Sequence, residues 1–172
     1  VCTLIEPSDE IDALAAEGMI FTNAYASASN CAPSRACMMS GQWPQRHGIY
    51  TVTNSDRGKS ETRKIIPTPN NEYIPDKNLL IPEILNKAGY TTCHAGKWHL
   101  SDDPVKRGFD INIGGSHAGN PGSYYPPYKR VPMLEAPSDD SYLTNLLMDK
   151  TLEFLDSVKE KPYDLHSCPG PR

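Results

Sequence analysis

No stretch of these 172 residues is apolar for long enough to cross a bilayer as a helix, which takes about 20 consecutive residues. Basic blocks are missing too: 17 Lys and Arg stand against 21 Asp and Glu, a net charge of -4, so no row of cations is there to neutralise phosphates. A membrane span and a nucleic-acid platform are both disfavoured. Cysteine is scarce and without pattern. Cys2, Cys31, Cys37, Cys93 and Cys168 make an odd number with no C-x-x-C pair, so spacing supplies neither a complete disulfide framework nor a zinc knuckle. At least one of them is expected to stay unpaired or to be chemically altered. The sequence opens at Val1 without an initiator Met, a basic segment or an apolar one, and so shows no signal peptide. It also shows no internal repeat and no low-complexity tract.

What is present suits one globular unit. A chain of this length buries roughly 70% of its unfolded surface. With 38% hydrophobic and 22% charged residues and a mean hydropathy of -0.54, it is too apolar for disorder and too polar for a membrane bundle. Sixteen prolines and twelve glycines indicate long connecting loops, where sites usually sit.

Helical spacing of Ile11, Leu14 and Ala15, with Gly18 as a stop, predicts a helix over 9–17. Residues 19–25 (MIFTNAY) alternate bulky and polar side chains and predict a strand, after which a small-residue loop delivers Cys31. Pro33 fits a first helical turn and Gly41 an end, so a helix is expected over 34–40 with Cys31 just before its N-terminus, where N–H groups and the dipole favour an anion. Residues 51–78 read as a polar surface excursion. A second helix is expected over 79–87, with Pro82 in its first turn and Gly89 beyond its end, and then a short strand over 90–94. Residues 114–132, nearly all Gly, Pro, aromatic and polar, predict a shaped loop able to line a polar pocket. Leu143, Leu146, Leu147, Phe154, Leu155 and Val158 form one apolar stripe, which predicts a core-packing helix over 141–159. Helix, strand, loop and helix succeed one another twice, so the fold class is α/β with a mostly parallel sheet flanked by helices.

Cys31-Ala32-Pro33-Ser34-Arg35 places a nucleophile-sized side chain, a helix-starting proline and a fixed positive charge within five residues. Such a site suits a tetrahedral oxyanion. A thiolate tyrosine phosphatase needs five residues between its Cys and Arg to wrap a phosphate, and only three intervene here, which disfavours that chemistry.

The segment Cys31-Ala32-Pro33-Ser34-Arg35, followed by four residues, Ser40 and Gly41, resembles the first signature of the type I sulfatases of the alkaline-phosphatase-like superfamily, Cys-x-Pro-Ser-Arg with a Thr usual where Ser40 stands. Gly89-Tyr90-Thr91-Thr92, continued by Gly96-Lys97-Trp98-His99, is similar to the family's second signature. It falls downstream in the expected order. Residues 14–25 and Gln45-Arg46-His47-Gly48 also look like the family, so the resemblance covers about 11–162 of one partial N-terminal catalytic domain spanning 1–172.

The resemblance implies a sulfuric-ester hydrolase. Cys31 would be a precursor that a dedicated maturation enzyme oxidises to formylglycine. The hydrated aldehyde would attack the sulfur of a sulfate ester through one hydroxyl, and the second hydroxyl would expel sulfate as the carbonyl re-forms. Arg35 would hold the formylglycine, Lys97 would bridge it and a sulfate oxygen, and His99 would hydrogen-bond its hydroxyl, with Pro33 and Ser34 supporting. Ser116 resembles a family hydroxyl that orients the same group, and His117 falls beside it. Tyr124 and Tyr125, with Tyr128, Lys129 and Arg130, form a candidate rim for stacking a sugar and steering an anion; loop structure without ligand contact is the equal alternative. Cys37, Cys93 and His94 occupy variable positions and read as packing residues.

The family's cation, usually calcium, is held by an adjacent Asp pair on the first strand and by an Asp-Asn or Asp-His pair late in the chain. Residues 1–10 (VCTLIEPSDE) show neither an apolar strand nor such a pair, and 164–172 (DLHSCPGPR) are not expected to continue as a strand. Neither Asp102-Asp103 nor His166 is given the family role, which leaves Cys31, as formylglycine, the one metal ligand expected here. An alkaline-phosphatase-like unit incomplete at both ends is therefore expected, as a fragment of a longer gene product or a relic, with exposed sheet edges and poor stability alone. The expected substrate is a sulfated glycan. The alternatives are a non-catalytic remnant that binds glycans and a related phosphomonoester or phosphonate hydrolase. The family works in periplasmic, secreted or lysosomal compartments, and no feature of the sequence selects among these.

Overall fold

The computed structural model describes residues 9–56, 58–131 and 133–168. The readings for residues 1–8, including Cys2, and for 169–172 lie outside the described residues. The helices are α1 (Asp9–Glu17), α2 (Cys31–Ser40), α3 (Pro44–His47), α4 (Ile81–Lys87) and α5 (Leu143–Val158); the strands are β1 (Thr91–Gly96), β2 (Ile111–Ile113) and β3 (Tyr163–Cys168). Single 3-10 turns cover Ser60–Thr62 and Pro104–Arg107.

The sheet runs β2-β1-β3 and is parallel throughout, as the α/β reading requires. β1 is central, and its two faces cover two separate cores. Cys93 and Ala95 face one, built with Ile113 and the α5 residues Leu143, Leu147, Phe154 and Val158. On the other side, the His94 ring sits edge-on to Trp98 and Phe109. Those two belong to the second core, with Ala32, Ala36 and Met39 of α2 and with Ile49, Ile74, Leu80 and Leu100. This second core fixes α2 against the segment after β1, and thereby brings the two signatures together.

Two glycines are demanded by close approach. At Gly48 φ is +73° and the Asn71 amide lies 2.5 Å from where a Cβ would sit, so α3 ends there and the Asn71 amide donates to the His47 carbonyl at 2.9 Å. At Gly115 a Cβ would stand 2.7 Å from both the Asn112 side-chain oxygen and His94.

Several expectations are corrected. Residues 19–25 form no strand, because no neighbouring strand among the described residues supplies ladder bonds. α2 begins at Cys31 itself, three residues earlier than expected, because the extended Asn30 accepts the Ser34 N–H at 3.1 Å and closes the first turn there. The residues after 162 do continue as a strand: β3 pairs with β1 from Tyr163 opposite Thr91 to Cys168 opposite Gly96. Ladder hydrogen bonds make this strand despite its Asp, His and Ser. α1 matches its expected range, α4 and α5 each begin two residues later than expected and α5 ends one earlier, and α3, β2 and the 3-10 turns had no forecast.

Candidate active site

α2 carries Cys31 in its first position and Arg35 one turn later, on the same face. The Cys31 thiol is free and half-buried. Arg35 reaches across to β3. Its Nη1 stands 3.5 Å from His166 Nε2, and its Nη2 donates to Cys168 Sγ. His166 thus accepts through Nε2, which places its own proton on Nδ1.

Lys97 and His99 follow directly from the end of β1. The Lys97 N–H donates to the Cys168 carbonyl at 3.2 Å, so the strand pairing extends one residue past the sheet and aims the lysine. His99 is held at φ +71°, a left-handed backbone unusual for this residue, and its N–H donates to the Ser116 carbonyl at 2.9 Å. Its ring is 6% exposed and stands edge-on to His117 at 5.8 Å, and its Nδ1 has no hydrogen-bond partner within the protein.

Burial lowers the His99 pKa to about 4, aided by the charges of Lys97, then His117, then Arg35. The imidazole is therefore neutral at neutral pH, with one nitrogen left to offer. Burial also lowers His166 to about 4, with Arg35 adding to the effect. His94 is wholly buried and stacks on His166 at 5.1 Å. It donates from Nε2 to the Gly96 carbonyl at 3.1 Å, and burial followed by the charges of His166 and Arg35 brings it to about 3.

A cavity of about 200 Å³ opens beside Lys97. Ser116, Asn120, Arg130 and Cys168 give it polar groups, and Tyr124, Val131, Leu143 and Leu147 give it an apolar wall. Cys31, Arg35 and His99 stand outside this wall. The Ser116 hydroxyl donates to the Arg130 carbonyl at 2.9 Å and accepts from the Ala118 N–H at 3.2 Å, so its proton is committed within the loop. His117 stacks on Tyr73 at 4.4 Å and its Nε2 lies 3.4 Å from Glu72, which turns it toward the rim. Tyr124 lines the cavity, Tyr125 is 53% exposed, and Tyr128 donates to the Ser141 carbonyl at 2.6 Å.

Two groups to which the sequence analysis gave no site role take part. His166 and Cys168 share a face of β3 opposite His94 and Gly96, and together hold Arg35. Their alternate spacing was the available signal, hidden because no strand was expected there. His47 lies buried under α2, its Nδ1 accepting from the Ile49 N–H at 3.1 Å and its Nε2 3.4 Å from Cys37 Sγ. Burial pushes that thiol up and that imidazole down, so the pair is neutral and ties α2 to α3. This agrees with reading Cys37, Cys93 and His94 as packing residues; burial pushes Cys93 to about 12.

Among the described residues no group of three His, Cys, Asp or Glu gathers as metal ligands. Asp102 accepts from the Tyr73 hydroxyl at 3.3 Å, and Asp103 accepts the Val105 N–H at 3.0 Å and the Asn112 amide at 3.3 Å, so this pair serves the backbone and its neighbours. The described residues do not fit a calcium cage.

A parallel sheet flanked by helices, with the start of α2 set near the end of the central strand, is the architecture of an alkaline-phosphatase-like α/β unit. The family model described as Sulfatase matches residues 4–166, and the chain belongs to that family. It is 38% identical to human N-acetylgalactosamine-6-sulfatase over 130 residues, covering 72% of this chain and 23% of that protein. It is 30% identical to N-acetylglucosamine-6-O-sulfatase of Bacteroides thetaiotaomicron over 161 residues, covering 89% of this chain and 24% of that protein. The crystal structure of Ps i-CgsB in complex with k-i-k-neocarrahexaose is similar with a TM-score of 0.67 at 28% identity, over 94% of this chain and 39% of that one. The chain thus spans 23% and 24% of the length of these two curated relatives. No helix among the described residues is long and apolar enough to cross a membrane.

Proposed function

We propose that this chain supplies the nucleophile-bearing part of a sulfuric-ester hydrolase acting on a sulfated carbohydrate. The observation that carries the reading is that α2 sets Cys31 and Arg35 on one face while Lys97 and His99 follow the end of β1, with Arg35 tied to the neighbouring strand by His166 and Cys168. Cys31 is the residue to be converted to formylglycine by a maturation enzyme, and the modified group supplies a hydrated aldehyde as nucleophile toward sulfur. Arg35, braced by His166 and Cys168, holds positive charge beside it. Lys97 offers its ammonium to a sulfate oxygen in the cavity it lines. The neutral His99 offers a nitrogen to the nucleophile's hydroxyl. Ser116 orients the group through the loop it fastens, and His117, Tyr124 and Tyr125 contact the sugar. Calcium is the family's expected cation, and Cys31 as formylglycine would be a ligand to it.

The amino-sugar 6-sulfates named for the two relatives support the choice of carbohydrate. The test is to produce the full-length protein that carries this chain in a maturation-competent host. Mass spectrometry is expected to find an aldehyde in place of the Cys31 thiol, and sulfate release from a sulfated amino sugar is expected to vanish in Cys31→Ala. An unmodified thiol in that host, with no sulfate released, would overturn the reading. A non-catalytic glycan binder is the second reading. Saturable glycan binding without any turnover would select it. Turnover of an aryl phosphate in preference to an aryl sulfate would assign the site to phosphorus instead.

A further inference from the structure

We infer that Arg130 is a second anion-recognising position, and that the saccharide taken by this site carries a further anionic group besides the ester sulfate. The inference rests on the sulfatase reading and names its substrate class. Lys97 and Arg130 both line the cavity, and neither is among the ion pairs of the described residues, whose cations are Arg63, Arg107, His117 and Lys150. Two cations without carboxylate partners on one small cavity attract two negative charges, and Lys97 is already assigned to the ester sulfate.

Arg130 is also held in place. Asn120 Oδ1 accepts from its Nη1 at 3.1 Å and is itself fixed by the Gly122 N–H at 3.1 Å. The arginine stem lies over Gly122, 3.5 Å from where a side chain there would begin. Its backbone carbonyl accepts from Ser116 Oγ at 2.9 Å, and the Ser116 carbonyl accepts from the His99 N–H at 2.9 Å. Two hydrogen-bonded steps therefore set Arg130 in register with the second signature. One of the five guanidinium donors is committed to Asn120, and a planar fork of the others matches a carboxylate or a sulfate. In the same cavity, Tyr124, Val131, Leu143 and Leu147 form an apolar wall suited to the C–H face of a sugar ring.

The deciding measurement is equilibrium binding by calorimetry with the full-length protein, unsubstituted and as Arg130→Gln and Asn120→Ala. Three ligands are compared: a singly sulfated neutral hexosamine, a doubly sulfated hexosamine, and a singly sulfated disaccharide bearing a uronate. In Arg130→Gln the preference for a doubly anionic ligand over the neutral monosulfate is expected to shrink by about 10- to 100-fold, with a smaller loss in Asn120→Ala. Which of the two doubly anionic ligands loses affinity tells second sulfate from carboxylate. Arg130 is exposed, so the variant is expected to keep the unsubstituted circular dichroism and Tm. An unchanged preference overturns the inference, whether all three affinities fall together or none does, and so does absence of binding by the unsubstituted protein. Sulfate release is followed separately. Its absence beside an intact, Arg130-dependent preference removes the hydrolase reading and leaves the recognition site standing.

Discussion

α1 and α5 carry the same kind of message in sequence, an apolar stripe at helical spacing, and meet opposite fates. α5 buries Leu143, Leu146, Leu147, Phe154 and Val158 against β1 and β2. α1 buries nothing: Ile11 and Leu14 are 67% and 72% exposed, and Phe21 beyond it is 72% exposed. The stripe therefore specifies a face and leaves the partner open. Burying one such side chain is worth roughly 1.5–3 kcal/mol, and that energy exists only where a complementary surface is supplied. The described residues supply it to the body from α2 to β3 and withhold it from the arm over 9–25.

Acid discriminates most strongly between the two, since all five histidines lie in the body. His94, His99 and His166 have pKa values lowered to about 3, about 4 and about 4, so the folded state binds their protons less readily than the unfolded chain does. Their full contribution to stability holds above about pH 6.5 and is lost as pH falls toward 4, at up to about 1.4 kcal/mol per histidine per pH unit. Asp164, raised by burial, works in the opposite direction but is a single group. Urea midpoints measured between pH 7 and 4.5 should fall steeply, and a flat profile would show that these rings are not buried as described.

Trp98→Ala comes next. The indole is wholly buried between His94 and Phe109 and donates to Ser101 at 2.7 Å, so its loss should cost about 3–5 kcal/mol in denaturant unfolding and disorder the signature loop. Gly115→Ala is expected to cost about 1–3 kcal/mol, because the added methyl meets Asn112, His94 and Pro104 within 2.8 Å. Thermal melts of the variant should show the loss. The arm supplies the smallest effect: Phe21→Ser should shift stability by no more than about 0.5 kcal/mol while raising solubility. A loss of 2 kcal/mol or more (roughly a full apolar side chain) would mean that a partner covers the arm in solution.

The residues of the site were legible to different degrees. Cys31 and Arg35 sit one helical turn apart on α2, and Lys97 and His99 directly follow β1, so local spacing alone relates each pair to one element. Ser116 was found by its neighbours Gly115 and His117, but its hydroxyl turned out to fasten Arg130, a bond across 14 residues that no local pattern shows. β3 was missed because Asp164, His166 and Ser167 read as loop, and only pairing with β1 makes them a strand. The reverse error at 19–25 has the same origin. Alternation offers a strand, and hydrogen bonds to a neighbour decide whether one forms.

By itself, then, the sequence determined the helix that carries Cys31 and Arg35, the strand that leads to Lys97 and His99, and the parallel α/β class, because helical and strand periods are properties of a few adjacent positions. Tertiary structure alone decided that Arg35 is gripped by His166 and Cys168, more than 130 residues away, that His94, His99 and His166 are driven neutral, and that Lys97 and Arg130 share one cavity. The physical reason is common to all three. Desolvation and charge proximity act between groups in space, and distance along the chain carries no information about either.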